Sequence, residues 1–374
     1  MTTQVTLDTT AMLAEASHPV DPDAHYQQGL HRLADALRAE AGLHPQGSAA
    51  VHASLVAALR TRTAVDRLHA QVPQVGAVPV HRPIFVTGLL RSGTTLVQNL
   101  LTEHPALRAP ALWELMLPVS EPGADARTLA DRAQGYVDEY YRVAPLLRSM
   151  HFLDANRPDE CHRLTGNAFA SMVYGMRYRV PSYDRWLDET GMVQAYRDHR
   201  RQLQAILWRR PGRQVVLKCP FHLWHLRDLV QVYPDARIVV LHRDPAVTVA
   251  STCLLCETVR GARTATIDRH EIGRQWSTAV GTGLRRYARD RGTLPPTVQL
   301  IEADYPALLR DPIAVLRDIC DQLGIGLAAP AEAAMRRYLA NHPQYSTGAY
   351  RYRAEDYGLD PARLAREFAA FHRP

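Results

Sequence analysis

The residues most suggestive of chemistry are 88–95, which read GLLRSGTT. Gly88 and Gly93 have the spacing of the phosphate-binding P-loop GxxxxGK[ST], whose backbone N–H groups hold an anion. Thr94 stands where the P-loop has its lysine, and Arg91 places a cation inside the loop instead. The pattern predicts a strand, a phosphate-binding loop and a helix. A ligand that carries less charge than a triphosphate and needs no metal explains the displaced cation.

A second polar pair follows the apolar run at 236–243. Arg243 stands at the end of this predicted strand, and Ser251 follows eight residues later in the next predicted helix. Ligands of open α/β sheets bind outside the carboxyl ends of the strands. We therefore expect a guanidinium and a hydroxyl at this position to hold a second phosphate.

The composition narrows the class of protein. The chain has a net charge of +6, and the excess is arginine because Lys218 is the only lysine. The basic residues form no dense tract with interleaved aromatics, so nucleic-acid binding is not expected. Without an apolar run of about 18 residues or a secretory signal, we expect a cytoplasmic protein with no stable membrane insertion. The oligomeric state is left open.

Strands and helices alternate along most of the chain. Short apolar runs predict strands at 84–88, 214–220, 236–243 and 298–305, and helical patterns separate them. This alternation predicts an α/β fold with a central parallel sheet.

The remaining segments suggest two additions to that sheet. Residues 1–80 are expected to form an N-terminal helical extension, irregular over about the first twenty residues. Residues 81–374 form the main domain, with a mostly helical insertion at about 125–210. Helices on both faces of the sheet would make a P-loop-like three-layer architecture.

Several segments resemble the sulfotransferases that use 3′-phosphoadenosine-5′-phosphosulfate, particularly the bacterial branch. GLLRSGTTL resembles their 5′-phosphosulfate loop, and LHRDPAVTVAS resembles their 3′-phosphate motif. The other segments that resemble these enzymes are LKCPFHLWHL, RAPALWELMLP, RPDECHRL and YRYRAEDYGLD. The resemblance covers roughly residues 82–365. It implies metal-free transfer of a sulfuryl group from that donor to a hydroxyl of a small molecule, such as a lipid-like compound or secondary metabolite. The N-terminal helices and the insertion are then expected to form a lid over the acceptor.

The resemblance also implies which residues bind the donor. The residues expected at the 5′-phosphate are Arg91, Ser92, Gly93, Thr94 and Thr95. Arg243 and Ser251 are expected at the 3′-phosphate, and a late loop containing Gly348 and Arg351 is expected to close over it. Apart from the resemblance, four aromatic residues lie close to the motif segments and are candidates to hold the adenine or the acceptor, namely Trp113, Phe221, Trp224 and Tyr305; of these, Tyr305 is expected to contact the nucleotide.

The resemblance implies two catalytic functions. Lys218 matches a lysine that approaches the transferred sulfuryl group in several relatives, and Arg91 matches a cation at the leaving oxygen. The acceptor hydroxyl also needs a general base, for which we consider Glu114, then Glu160 beside His162, then His222. The cytosolic animal enzymes have a histidine two residues after the matching lysine, where this chain has Pro220.

Two other functions remain open at this point. One is a P-loop kinase of small molecules that uses ATP and Mg²⁺, although the loop lysine and a clear acidic metal site are missing. The other is a nucleotide-binding protein without catalysis.

Overall fold

The computed structural model describes residues 7–21, 24–119, 124–342 and 351–371. Within them, parallel strands form one sheet in the order β2-β3-β1-β4-β5. The strands are β1 Ile84–Gly88, β2 Leu107–Arg108, β3 Gln214–Lys218, β4 Arg237–His242 and β5 Gln299–Asp304. The predicted parallel α/β sheet is confirmed. The strand β2 was not predicted, because two residues are too few to show a periodic pattern.

Helices surround this sheet on both faces. The α-helices of the described residues are α1 Thr9–Glu15, α2 His25–Glu40, α3 Pro45–Gln71, α4 Thr94–Thr102, α5 Leu112–Met116, α6 Ala126–Val143, α7 Leu147–Met150, α8 His162–Gly166, α9 Val173–Arg177, α10 Pro181–Thr190, α11 Val193–Arg209, α12 Leu226–Val232, α13 Pro245–Gly261, α14 Arg269–Asp290, α15 Tyr305–Arg310, α16 Pro312–Leu323, α17 Ala329–Asn341 and α18 Pro361–Phe368. None of them combines the length and the apolar character needed to cross a bilayer.

The alternation of side chains along β1 explains why the protein has three layers. Successive strand residues face opposite sides of a sheet. Ile84 and Val86 belong to a buried cluster with Leu100 of α4 and Leu316 of α16. Phe85, between them, belongs to a larger cluster on the opposite face. Both faces of the sheet are therefore covered, as is usual for a parallel sheet.

The N-terminal helices contribute to that larger cluster. Leu33 and Leu37 of α2 are buried in the same apolar cluster as Phe169 and Tyr183 of the segment 125–210. The first described residues are also more ordered than the sequence suggests. The side chain of Asp8 accepts a hydrogen bond from the Ala11 N–H at 3.1 Å and caps α1, so the expectation of an irregular start is wrong for this helix.

The close packing of α2 predicts a measurable difference between two helical glycines. A Cβ added to Gly29 would lie 2.6 Å from the carbonyl oxygen of Phe169 and 3.1 Å from the Trp186 ring, whereas one on Gly135 of α6 meets nothing within 4 Å. We expect Gly29→Ala to lower the free energy of unfolding by about 1–3 kcal/mol through overpacking. Gly135→Ala, the matched control, should raise it by about 0.5–1 kcal/mol. Urea denaturation measures both, and equal stabilisation by the two changes would contradict this packing.

Candidate active site

The predicted functional residues gather at the carboxyl ends of the strands. The pairing register sets Lys218 of β3 opposite Val86 of β1, and Gly88 opposite Leu241 of β4. The chain runs from β1 to β2 and β3 on one side and then to β4 and β5 on the other side. Ligands of open α/β sheets bind where the strand order reverses in this way.

The loop after β1 ends at a helix N-terminus suited to an anion. Ser92 donates its hydroxyl to the Leu89 carbonyl at 2.6 Å, which tightens the turn. Gly93 has a φ of 87° and precedes α4 without any side-chain cap. The first-turn N–H groups therefore have no capping side chain, and they and the helix dipole favour a bound anion. Thr94 is buried at this turn, and Thr95 is exposed.

Two residues that follow the strands β4 and β5, Arg243 and Tyr305, hold this loop in place. A Cβ on Gly93 would lie 2.8 Å from the Tyr305 ring, so this close approach requires glycine. The Arg243 guanidinium stacks on the same Tyr305 ring, 4.3 Å from its centroid. Arg243 also donates to the carbonyl of Arg91, whose φ of 68° is unusual for a residue with a side chain. Arg243 thus connects the two motifs that the sequence indicates.

On the other side of β1, Lys218 forms a buried ion pair with Glu160. The Nζ atom of Lys218 lies 2.7 Å from Oε1 of Glu160, and the lysine side chain is only 1% exposed. The Cys161 N–H donates to the Lys218 carbonyl at 2.9 Å, which aligns the PDECH segment with the end of β3. Burial raises the pKa of Glu160, but the ammonium of Lys218 and the hydrogen bond to His162 outweigh this effect and hold it well below its usual value.

His162 completes this group with one free ring nitrogen. Its Nδ1 lies 2.9 Å from Oε2 of Glu160. Burial lowers the pKa of His162 despite the opposite effect of Glu160, so the neutral ring is favoured. A carboxylate only accepts hydrogen bonds, so Nδ1 carries the proton and Nε2 keeps its lone pair. That Nε2 is buried and has no hydrogen-bond partner within the described residues.

The structure adds two polar residues that sequence reasoning missed. Asp159 is buried and contacts His151 at 3.4 Å and Arg163 at 2.8 Å. Burial raises the pKa of Asp159, but the charge of Arg163 and the hydrogen bond from His151 outweigh this effect and hold the pKa well below its usual value. His151 follows Met150, whose carbonyl accepts a hydrogen bond from Arg91. Asp159 was detectable as the acidic residue that precedes Glu160 in PDECH, whereas His151 has no spacing signal.

Glu114, the first candidate for the general base, has both carboxylate oxygens engaged. They lie 2.8 and 2.9 Å from Nη2 of Arg108, and one also accepts from the Ala111 N–H at 2.9 Å. Arg108 in turn donates to the carbonyl of Arg210, which precedes β3. Glu114 thus caps the first turn of α5.

His222, the third candidate, is buried on the face of the sheet that carries Phe85. Its Nδ1 is 2.8 Å from the Tyr196 hydroxyl, and its Nε2 is 3.1 Å from Sγ of Cys161. Its ring packs edge-on against Phe85, with the centroids 5.2 Å apart. Burial lowers its pKa well below the usual value. Both ring nitrogens are thus occupied inside the larger apolar cluster.

The remaining predicted nucleotide contacts are more dispersed. Ser251 is buried in α13, which begins just after Arg243 with Asp244 as its cap. Arg351 is exposed at the start of the last described segment. Gly348 lies outside the described residues.

One group of donor atoms within the described residues has the proximity of a metal site. The ligand atoms of Glu160, His162 and Cys219 lie within 4.8 Å of one another. Lys218 already neutralises Glu160. Burial raises the pKa of the Cys219 thiol well above its usual value, and metals bind the thiolate. The environment therefore disfavours a cation in this group.

Comparisons with known proteins agree with this geometry. A sequence profile of the sulfotransferase family matches residues 83–329, more than half of the 374 residues. The omega-hydroxy-beta-dihydromenaquinone-9 sulfotransferase of Mycobacterium bovis is 26% identical over 281 residues, which cover 73% of this chain and 70% of that protein.

Solved structures extend the likeness to nearly the whole chain. The crystal structure of sulfotransferase STF1 from Mycobacterium tuberculosis superimposes with a TM-score of 0.85 at 28% identity, covering 98% of this chain and 100% of that one. Sulfotransferase STF9 from Mycobacterium avium gives a TM-score of 0.85 at 29% identity, covering 99% and 96%. The three-layer fold, the family match and these neighbours together show that the chain belongs to the sulfotransferase family and is a sulfuryl-transferring enzyme.

Proposed function

We propose that this enzyme takes its sulfuryl group from 3′-phosphoadenosine-5′-phosphosulfate and transfers it to a hydroxyl of a small molecule. Membership of the sulfotransferase family decides against the kinase alternative. The observation that carries the proposal is the position of two cationic centres on either side of one helix N-terminus. Arg243 contacts the loop from β4, and Lys218 stands at the end of β3 on the other side of β1.

The loop fits the 5′ end of such a donor. Arg91, Ser92, Gly93, Thr94 and Thr95 would bind the 5′-phosphate through N–H groups, hydroxyls and one guanidinium. A monoester with a sulfuryl group carries less charge than a triphosphate, in keeping with a loop that has Thr94 instead of lysine. When bound, the donor supplies the sulfuryl group and leaves as a bisphosphate.

The opposite side of the loop suits the nucleotide's second phosphate. Arg243 and Ser251 would hold the 3′-phosphate, and Tyr305 would contact the nucleoside. A cavity of about 340 Å³ lies beside them, and its walls include Arg243, Tyr287 and Arg310. Gly348 and Arg351 remain proposed as parts of a closing loop.

For the chemical step we propose His162, positioned by Glu160, as the general base. Of the residues considered, Glu114 and His222 have their polar atoms occupied, whereas His162 has a lone pair on Nε2 that finds no partner in the part of the chain that the structure describes. The acceptor oxygen would bond to sulfur while the bond from sulfur to the bridging 5′-phosphate oxygen breaks, and the hydroxyl proton would pass to Nε2. Glu160 keeps the ring in the required tautomer, as the carboxylate does in other histidine-dependent sites.

Arg91 and Lys218 would stabilise the charge that develops in this step. Negative charge accumulates on the leaving phosphate oxygen, and preformed cations in a water-poor site stabilise it without reorganisation. For the acceptor, the supporting observation is the likeness to the Mycobacterium bovis enzyme, which acts on omega-hydroxy-beta-dihydromenaquinone-9. A small, partly apolar molecule with a free hydroxyl is therefore proposed.

The first prediction concerns Arg91. Arg91→Ala should lower kcat by about 10²–10³-fold, the effect of losing one preorganised charge at the reacting atoms. Steady-state sulfation of a hydroxyl acceptor measures it, with thermal denaturation to show that the fold persists. Arg91→Lys, which keeps the charge, should recover part of the rate. Near-normal turnover in Arg91→Ala would rule out the catalytic function.

The second prediction concerns the donor. Calorimetric titration should show binding of 3′-phosphoadenosine-5′-phosphate with and without Mg²⁺, and weaker binding of ATP. Arg243→Ala should weaken this binding about 10–100-fold, because it removes hydrogen bonds to a charged phosphate. Arg285→Ala, which removes an exposed arginine elsewhere, is the charge-matched control and should leave the affinity unchanged. Unaltered affinity in Arg243→Ala would reject this phosphate contact.

The third prediction concerns the base. Because burial lowers the pKa of His162, the acid limb of the kcat/KM profile should fall below pH 6.5, with activity lost as the ring gains a proton. His162→Gln should abolish that limb and lower kcat by about 10²–10⁴-fold, with unchanged affinity for the bisphosphate. In Glu114→Gln the acid limb should stay in place. A limb that persists in His162→Gln and disappears in Glu114→Gln would assign the base to Glu114 instead.

A further inference from the structure

His162 is one of the residues that line a cavity that the sequence does not indicate. This cavity, called here the tyrosine–arginine cavity, has a volume of about 450 Å³. Small side chains of α3, including Ala53 and Ala57, form one wall, and Tyr136 and Tyr140 of α6 form another. The volume is in the range of sites for small ligands.

The tyrosine–arginine cavity is lined by several arginines, two of which have no carboxylate partner within the described residues. Its arginines include Arg163, Arg177 and Arg263. Arg163 is paired with Asp159 at 2.8 Å. Arg177 and Arg263 form no ion pair with a carboxylate within the described residues; the groups that raise their pKa values against the effect of burial are tyrosine phenols.

The tyrosines do not neutralise these two guanidinium groups at neutral pH. A phenol ordinarily ionises near pH 10. Burial raises the pKa of Tyr136, but Arg177, Arg163 and Arg263 outweigh it and lower the value to about 8. Nη1 of Arg263 is buried and has no hydrogen-bond partner among the described residues, and the guanidinium of Arg263 lies 4.9 Å from the centre of the Tyr140 ring. Arg177 and Arg263 are half-buried, and a cation that is partly removed from water is stabilised by an anion that reaches it.

A neighbouring pair on the rim of the cavity offers a contrast. Glu139 and Arg142 are exposed and joined by two hydrogen bonds of 2.7 Å. The carboxylate of Glu139 is thus already committed to Arg142. Among the arginines of this cavity, only Arg177 and Arg263 lack a carboxylate partner within the described residues.

We propose that the tyrosine–arginine cavity is the acceptor site and that the acceptor is a hydroxy acid, whose carboxylate binds Arg177 and Arg263 while its hydroxyl reaches Nε2 of His162. This inference rests on the proposed function, since it uses His162 as the proton acceptor. Apolar wall residues such as Leu115 and Val173 contact the body of the molecule. Two guanidinium groups suit a carboxylate because their planar forks match its two oxygens.

The test compares acids with their neutral esters on the full-length enzyme. The probes are 12-hydroxydodecanoate and 4-hydroxycinnamate, one flexible and one planar, each against its methyl ester. Calorimetry measures their binding to protein saturated with 3′-phosphoadenosine-5′-phosphate. For at least one pair we expect the acid to bind about 10-fold or more tightly than the ester, the effect of hydrogen bonds between charged groups.

Two variants then assign the difference to named residues. The double variant Arg177→Gln with Arg263→Gln should abolish the acid preference, and removal of two half-buried charges that have no carboxylate partner within the described residues should leave the melting temperature at or above that of the wild type. Arg142→Gln, the matched control, removes an arginine of the same cavity that is already paired and should keep the acid preference. Equal binding of acid and ester in both pairs, or no binding of either acid, would overturn the proposal.

The same experiment distinguishes failure of this inference from failure of the donor proposal. Affinity for 3′-phosphoadenosine-5′-phosphate should be the same in the double variant and the wild type. If the bisphosphate does not bind at all, the donor proposal fails, and the comparison of acids with esters on the protein alone still tests the cavity.

Discussion

The buried ion pair between Lys218 and Glu160 is the interaction on which the rest of the site depends. An ammonium that is 1% exposed at a strand end requires a carboxylate, and loss of either partner would leave a buried charge at a cost of about 3–5 kcal/mol. The pair holds the PDECH segment against the end of β3. Oε1 of Glu160 binds Lys218, so Oε2 is left to bind Nδ1 of His162 and orient its ring. Glu160 thus connects Lys218 of the sheet to His162, the proposed proton acceptor.

A second constraint comes from the crowding around the phosphate loop. Tyr305 packs so closely on Gly93 that a side chain at this position would collide with it. Arg243 lies over Tyr305 and binds the Arg91 carbonyl, which stabilises a left-handed backbone at Arg91. The proposed 5′-phosphate and 3′-phosphate sites are therefore linked by the hydrogen bond from Arg243 to the Arg91 carbonyl. A change at Arg243 is expected to influence the geometry of Arg91 as well as its own ligand.

The helices outside the sheet have a share in function as well as in packing. Helix α3 supplies small side chains, α6 supplies tyrosines, and α9 supplies Arg177 to one cavity. The N-terminal helices and the segment 125–210 are therefore more than a cover of the core. The acceptor specificity proposed here depends on residues far apart in the chain, whereas the proposed donor contacts come mainly from two short motifs.

Much of the fold was predictable because the β1, β3, β4 and β5 strands are apolar runs between helical patterns, and the glycine and hydroxyl spacing at 88–95 has a local physical meaning. The strand β2 was too short to detect. The sequence alone determined the family, the parallel sheet and the two motifs, since each depends on neighbouring residues. Only the tertiary structure decided that Glu114 is held by Arg108, that His222 is enclosed by Tyr196 and Cys161, and that Nε2 of His162 has no partner among the described residues. The two partners of His222 lie 26 and 61 residues away in the chain, and Arg108, although only six residues before Glu114, is not marked as its partner by any spacing, so the sequence pattern does not show which ionisable group is available.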